Sequence, residues 1–127
     1  MTKQIYVLTD DFYTPDSIVR QAVREMVQSG VKWVQYRSKK PNLDEIVIAD
    51  LIEICELGGA KLILNDNAKL AAKLGAHGVH IGRDDGEICE ALDLMRGKIV
   101  GVSCYDDENL ALKAQNLGVS YVAFGAV

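Results

Sequence analysis

Short apolar runs alternate along this chain with longer stretches whose apolar residues recur every three or four positions. "IYVLTD" is the first run and ends in a polar pair. Thr14-Pro15-Asp16 then reads as a helix start, with threonine at the cap and proline in the first helical position. Ile18, Val19, Ala22, Val23, Met26 and Val27 make one apolar stripe at helical spacing, and Ser29-Gly30 ends it. "VKWVQYR" alternates as a strand does, with Val31, Trp33, Gln35 and Arg37 on one face and Val34 and Tyr36 on the other. Pro41-Asn42 opens a second helix, with Glu45 in the capping-box position. Its body, "LDEIVIADLIEICEL", is apolar over most of its girth, and Gly58-Gly59 closes it. "KLILN", "GVHIG", "KIVGVSC" and "YVAFGAV" read as four further strands. Between them lie the helix "NAKLAAKLG", a helix from about Gly86 to Arg96, and "DDENLALKAQNLG", whose acidic first turn suits the helix dipole.

Six strands alternating with five helices predict right-handed βαβ units around a parallel sheet, in one domain over residues 1–127. No GxGxxG follows the first strand and no GxxxxGK[ST] occurs, which disfavours a dinucleotide-binding Rossmann domain and a P-loop protein. An open doubly wound sheet and part of a (β/α)8 barrel both remain, and periodicity does not choose between them. Either architecture puts its site at the carboxyl ends of the strands.

Composition narrows the partners rather than the fold. The chain has 127 residues and a net charge of −4, with no polybasic run. Nothing electrostatic therefore favours nucleic acid or an anionic membrane surface. The apolar stretches are too short to span a bilayer, and "MTKQIYVLTDD" lacks the features of a signal peptide, so the expected location is the cytoplasm. The three cysteines are not at metal-type spacing. Cys55 and Cys89 are expected to pack on apolar helix faces, and Cys104 follows a strand from which it could line a pocket.

The strand ends carry the candidate chemistry. They supply Thr9-Asp10, then Gln35, Arg37 and Lys39, then Asn65-Asp66, then His80 with Arg83-Asp84-Asp85, and finally Ser103-Cys104-Tyr105. Carboxylates on separate strands suit Mg²⁺, which takes one or two of them and completes its shell with water and substrate phosphate. Arg37 and Lys39 would clamp the phosphates, the arginine as a fork and the lysine as a point charge. The same acids also suit helix caps, Asp66 for the third helix and Asp84 or Asp85 for the fourth. His80, flanked by apolar residues, reads as a wall residue or as a base.

"VQYRSK", "LILND", "GVHIGRDD", "IVGVS" and "YVAFGAV", in this order and at these separations, resemble the thiamine-phosphate synthase family. The resemblance covers essentially the whole chain and implies a (β/α)8 barrel. It implies that Gln35, Tyr36, Arg37, Ser38 and Lys39 hold the diphosphate and ring of a hydroxymethylpyrimidine diphosphate, and that Asn65 contacts substrate. It further implies Asp66 and Asp85 as Mg²⁺ ligands and Ser103 on the diphosphate. Arg37, Lys39 and Ser103 would stabilise departing pyrophosphate. The resulting pyrimidine-methyl cation would be captured by hydroxyethylthiazole phosphate to give thiamine phosphate.

The chain also departs from the family pattern. Arg83 stands where the family has glutamine, and Tyr105 where members often have histidine. The Thr-Lys loop and the glycine-rich turns of strands seven and eight do not follow Val127 in this sequence. The chain is therefore expected to be an incomplete barrel carrying the pyrimidine-diphosphate half of the site. It would be either a fragment of a longer protein or a chain covered by copies of itself, and inactive alone. The related thiazole tautomerase and a non-catalytic phosphate-binding remnant are the alternatives. Tyr105 and the intact Asn65-Asp66 pair argue against the tautomerase.

Overall fold

The computed structural model describes residues 4–82 and 85–125, Asp85 by its backbone alone. Six strands, β1 (Tyr6–Leu8), β2 (Trp33–Tyr36), β3 (Lys61–Asn65), β4 (Gly78–Ile81), β5 (Ile99–Tyr105) and β6 (Tyr121–Phe124), form one sheet. Every neighbouring pair is parallel, and the spatial order is β1-β2-β3-β4-β5-β6. A doubly wound sheet reverses its strand order at a switch point, and this sheet never does. The choice that periodicity left open thus falls to a curled part-barrel of the (β/α)8 type. The hydroxyls of Tyr6 on β1 and Tyr121 on β6 lie 2.6 Å apart, so the curl brings the first and last strands within side-chain reach.

Five helices, α1 (Val19–Gln28), α2 (Glu45–Leu57), α3 (Ala68–Leu74), α4 (Asp85–Leu94) and α5 (Glu108–Leu117), link successive strands. The main core lies between them and the sheet's outer face. Val34, Tyr36, Leu62, Leu64, Val79, Val100, Val102 and Cys104 are buried against Val23, Ile48, Leu51, Ile88, Met95 and Ala114. Residues alternate across a strand, so the neighbours of these apolar positions face the barrel interior.

Helix ends correct the sequence reading twice. α1 begins at Val19, one turn after Pro15, because Thr14 is engaged elsewhere. Its hydroxyl donates to the Asp10 carbonyl and accepts from the Asp10 N–H, closing the β1–α1 loop. α2 is capped by Asp44, not Asn42, and the Asp44 carboxylate accepts from the N–H groups of Ile46 and Val47. α3 and α5 lie where expected; Asn67 and Asp107 are their caps, and left-handed Gly75 and Gly118 their stops. Two cysteine expectations also change. Cys89 is exposed on α4 rather than packed, and Cys104 is buried on the helix-facing side of β5, away from the interior. Among the described residues no helix is long and apolar enough to cross a membrane.

At the amino end of the strands, His77 joins β3 to α2. Its Nδ1 accepts the Leu62 N–H at 2.8 Å and its Nε2 lies 3.1 Å from a Glu56 carboxylate oxygen. Burial holds its pKa below the ordinary 6.5, against the opposing pull of Glu56. The folded state therefore binds fewer protons than the unfolded chain in the window just below pH 6.5, and stability rises with pH there. The contribution is complete above pH 6.5 and is lost as pH falls through the folded pKa. Urea midpoints should fall between pH 7.5 and pH 5.5, and His77→Gln should flatten that slope. An unchanged slope in His77→Gln would assign it to other groups.

Candidate active site

Within the curl, and reaching the carboxyl ends of β2 and β3 at Gln35, Arg37 and Asn65, side chains surround a cavity of about 340 Å³. Its walls are Tyr6 and Leu8 of β1, Gln35 of β2, Arg37 just beyond it, Asn65, His80, Ser103 and the β6 residues Tyr121, Val122 and Ala123. Register explains the convergence. Asn65 pairs with His80, His80 with Gly101 and Gly101 with Tyr121, so one inward row crosses four strands. Two N–H bonds extend the β1–β2 pairing to Arg37: Thr9 donates to the Gln35 carbonyl at 2.9 Å, and Arg37 to the Thr9 hydroxyl at 3.2 Å.

A continuous hydrogen-bonded chain crosses the cavity wall. Gln35 Nε2 donates to Tyr6 Oη at 2.9 Å, and Tyr6 Oη meets Tyr121 Oη at 2.6 Å. Tyr121 Oη lies 2.7 Å from His80 Nδ1, and His80 Nε2 lies 2.6 Å from Ser103 Oγ. Trp33 sets its ring against both tyrosines, with centroids 5.5 and 5.6 Å away. Burial lowers the His80 pKa, opposed by the Asp66 charge, and burial raises those of Tyr6 and Tyr121. All three therefore remain neutral at pH 7 to 8.

The predicted residues distribute unevenly around this cavity. Gln35, Arg37, Asn65 and Ser103 line it. Tyr36 does not, because it sits on the opposite face of β2 and donates its hydroxyl to Asp16 at 2.6 Å. Burial and the Asp16 carboxylate together raise its pKa above the usual phenol range. Ser38 and Lys39 belong to the following loop, where the Lys39 N–H donates to Asp11 at 2.8 Å and the Ser38 hydroxyl accepts from Lys40 N–H at 3.3 Å. That Lys39 N–H holds the Asp11 carboxyl below its usual range. Lys39 itself is exposed and is not part of the cavity wall.

Asp66 opens the adjoining hollow, which Asn67, Lys69, Glu87 and Glu90 also line. Its backbone is left-handed at φ 66°, and its N–H donates to the His80 carbonyl at 2.7 Å. An aspartate tolerates this conformation, which turns the chain sharply from β3 into α3 and leaves the carboxylate at the rim. Asn67, not Asp66, caps α3, so the capping alternative for Asp66 is excluded. Arg83 and Asp84 lie outside the described residues, as does the side chain of Asp85.

A magnesium ion fits what is present at the rim. No group of three or more His, Cys, Asp or Glu among the described residues forms a cage by itself. Magnesium needs none, since one or two carboxylates with water and phosphate oxygens suffice. The Asp66 carboxylate is exposed and accepts no hydrogen bond among the described residues.

Tyr6 and Tyr121 complete the site beyond the residues singled out from sequence, and His80, read there as a wall residue or a base, stands in the cavity wall. Their signal was the alternation itself, since each stands one position from a helix-facing residue of its strand. A larger groove of about 470 Å³ runs between α1 and α2 on the barrel exterior, lined by Arg20, Arg24, Asp50 and Glu53 among others. None of its lining residues belongs to a strand.

Comparison with known proteins agrees with this geometry. The family model described as thiamine monophosphate synthase matches residues 5–127. The thiamine-phosphate synthase of Thioalkalivibrio sulfidiphilus is 39% identical over 126 residues, covering 97% of this chain and 60% of that protein. That of Methylococcus capsulatus is 40% identical over 129 residues, covering 99% of this chain and 57% of that protein. Among solved structures, the thiamine phosphate pyrophosphorylase of Pyrococcus furiosus superposes with a TM-score of 0.82 at 26% identity, covering 98% of this chain and 60% of that one. The 3-dehydroquinate dehydratase of Aquifex aeolicus, at a TM-score of 0.71 and 16% identity, shares the fold. The chain thus spans 57 to 60% of the length of these curated relatives.

Proposed function

The chain belongs to the thiamine monophosphate synthase family, and from that premise we propose that its strand-end cavity binds a pyrimidine-methyl diphosphate and stabilises the pyrophosphate that leaves it. The observation that carries this reading is the convergence of Arg37, Gln35, Asn65 and Ser103 on one cavity beside the Asp66 rim. Arg37 presents a planar fork of donors to two phosphate oxygens at once. Ser103 adds a neutral donor, and Lys39 supplies a second cation from its loop. Gln35 and Asn65 offer amides to the pyrimidine ring or to the phosphates. Asp66, with Asp85, would hold Mg²⁺, which when bound supplies further positive charge against the departing diphosphate.

Breaking the carbon–oxygen bond leaves the electron pair on pyrophosphate and a cation on the pyrimidine methylene. Fixed cations and donors gain strength as that negative charge grows, so they act on the transition state more than on the bound substrate. No proton has to be removed for this step, and no charged base is needed beside the reacting carbon. Capture of the cation by the nitrogen of a thiazole phosphate completes the synthase reaction. In the whole protein the second substrate would be held beside this cavity.

Calorimetric titration of the chain with inorganic pyrophosphate tests the reading. Binding should require Mg²⁺, Asp66→Ala should weaken that Mg²⁺-dependent binding, and Arg37→Ala should weaken binding about ten- to hundredfold, as expected for a charge-assisted pair. Pyrophosphate binding that ignores Mg²⁺ and both substitutions would refute the site.

A further inference from the structure

We propose that Tyr6 and Tyr121 fix His80 as its Nε2–H tautomer and thereby make the Ser103 hydroxyl a dedicated hydrogen-bond donor to the cavity. The argument is a proton count along the chain of side chains. Gln35 Nε2 can only donate, and its partner here is Tyr6 Oη at 2.9 Å. Each tyrosine has one hydroxyl proton, and a neutral histidine has one ring proton. If Tyr6 donates to Tyr121 at 2.6 Å, then Tyr121 donates to His80 Nδ1 at 2.7 Å. His80 must then carry its proton on Nε2 and donate to Ser103 Oγ at 2.6 Å. Every other proton in the chain is used, and the one left over is that of Ser103, which lines the cavity.

The reverse polarity is poorer. Ser103 would donate to Nε2, His80 to Tyr121 and Tyr121 to Tyr6. Tyr6 Oη would then accept twice, from Gln35 and from Tyr121, and its own proton would have no acceptor among the described residues. Tyr6 also lines the cavity, but its hydroxyl would then need a third partner beside Gln35 and Tyr121, at the end of a ring packed edge-on against Trp33 and Tyr121, and an unmet donor there is costly. The serine hydroxyl has His80 as its one partner in this chain, and its proton is left for solvent or ligand oxygen in the cavity. With its oxygen already accepting from His80, Ser103 favours a ligand that brings lone pairs, as phosphate oxygens do. Tyr6 and Tyr121 are positioning residues, since they act on the ligand through His80 and Ser103.

The consequence for Ser103 rests on the diphosphate reading above, whereas the tautomer does not. The uniformly ¹⁵N-labelled chain at pH 8, with ring signals assigned through ring-to-backbone correlations, reports the tautomer in a long-range ¹H–¹⁵N spectrum. His77 is an internal reference, because the Leu62 N–H occupies its Nδ1 and leaves the proton on Nε2. His80 should show the same pattern as His77, and an Nδ1–H pattern overturns the proposal without any variant. In Tyr121→Phe, His80 should lose its single-tautomer pattern while His77 keeps its own. Mg²⁺-dependent pyrophosphate affinity should fall about three- to tenfold, the range for one neutral hydrogen bond. An unchanged His80 pattern or an unchanged affinity in that variant would overturn the positioning role. Failure of the wild-type chain to bind pyrophosphate would refute the diphosphate reading and leave the tautomer to be judged by its spectrum.

Discussion

Leu51→Ala should lower the unfolding free energy by about 2–5 kcal/mol, a large share of the roughly 5–15 kcal/mol that holds a domain folded. Leu51 is fully buried at the middle of α2, on the stripe formed by Val47, Ile48, Leu51, Ile52 and Cys55. That stripe is broad because α2 is wedged against three neighbours, α1, α3 and strand β3. A helix so enclosed must be apolar over much of its circumference. Truncating Leu51 forfeits its burial and leaves a hole that rigid neighbours only partly fill. The control is Ile46→Ala on the same helix, where a 70% exposed side chain should change stability by no more than about 0.5 kcal/mol. Urea denaturation reads both, through a lower midpoint at unchanged slope. Equal midpoints for the two variants would mean that α2 is not seated as described.

The same enclosure explains why α2 was legible as a helix while its start was not. Its apolar run and its Gly58 stop stand out in the sequence, but Pro41-Asn42 and Asp44 offer competing starts. Asp44 wins because its carboxylate reaches two N–H groups of the first turn. At α1 the proline signal misled for a different reason, since Thr14 closes a loop on Asp10 instead of capping. Cys89 was misplaced because helical spacing alone does not say which stripe of a weakly amphipathic helix faces inward. Strand order was not legible from periodicity, and only the family resemblance implied a barrel with its strands in chain order. It depends on which edge each βαβ unit adds to, and that is decided by contacts between residues far apart in sequence.

The site was legible where it sits at strand ends and obscure where it spans the barrel. Arg37, Asn65 and Ser103 stand next to recognisable apolar runs, and the structure gathers all three at one cavity. Tyr36 follows the same run, but strand alternation turns it to the opposite face, where it serves Asp16. The Tyr6–Tyr121 contact joins residues 115 apart, and no local pattern announces it. Only the curl of the sheet brings the two phenols together.

That contact depends on a glycine, and Gly101→Ala should cost about 3 kcal/mol of stability while disrupting the His80–Tyr121 pair. Gly101 on β5 pairs with Tyr121 on β6, so their side chains project to the same face. A Cβ at Gly101 would sit 2.0 Å from Tyr121 Cζ and 2.4 Å from its hydroxyl oxygen. The ring would have to leave, taking with it the hydroxyl bonds to Tyr6 and His80 and the ring contacts to Trp33 and Tyr6. Hydrogen bonds contribute about 1 kcal/mol each and aromatic pairs about 0.5–1.5 kcal/mol, which together set the expected loss. The sign should reverse once the ring is absent. In a Tyr121→Ala background the added methyl meets no phenol, and alanine in a strand loses less backbone entropy on folding than glycine does. Gly101→Ala should there be neutral or slightly stabilising, so the double-mutant cycle should return a coupling close to the whole single-mutant cost. If Gly101→Ala costs the same in both backgrounds, the glycine serves the backbone of β5 rather than the seat of Tyr121.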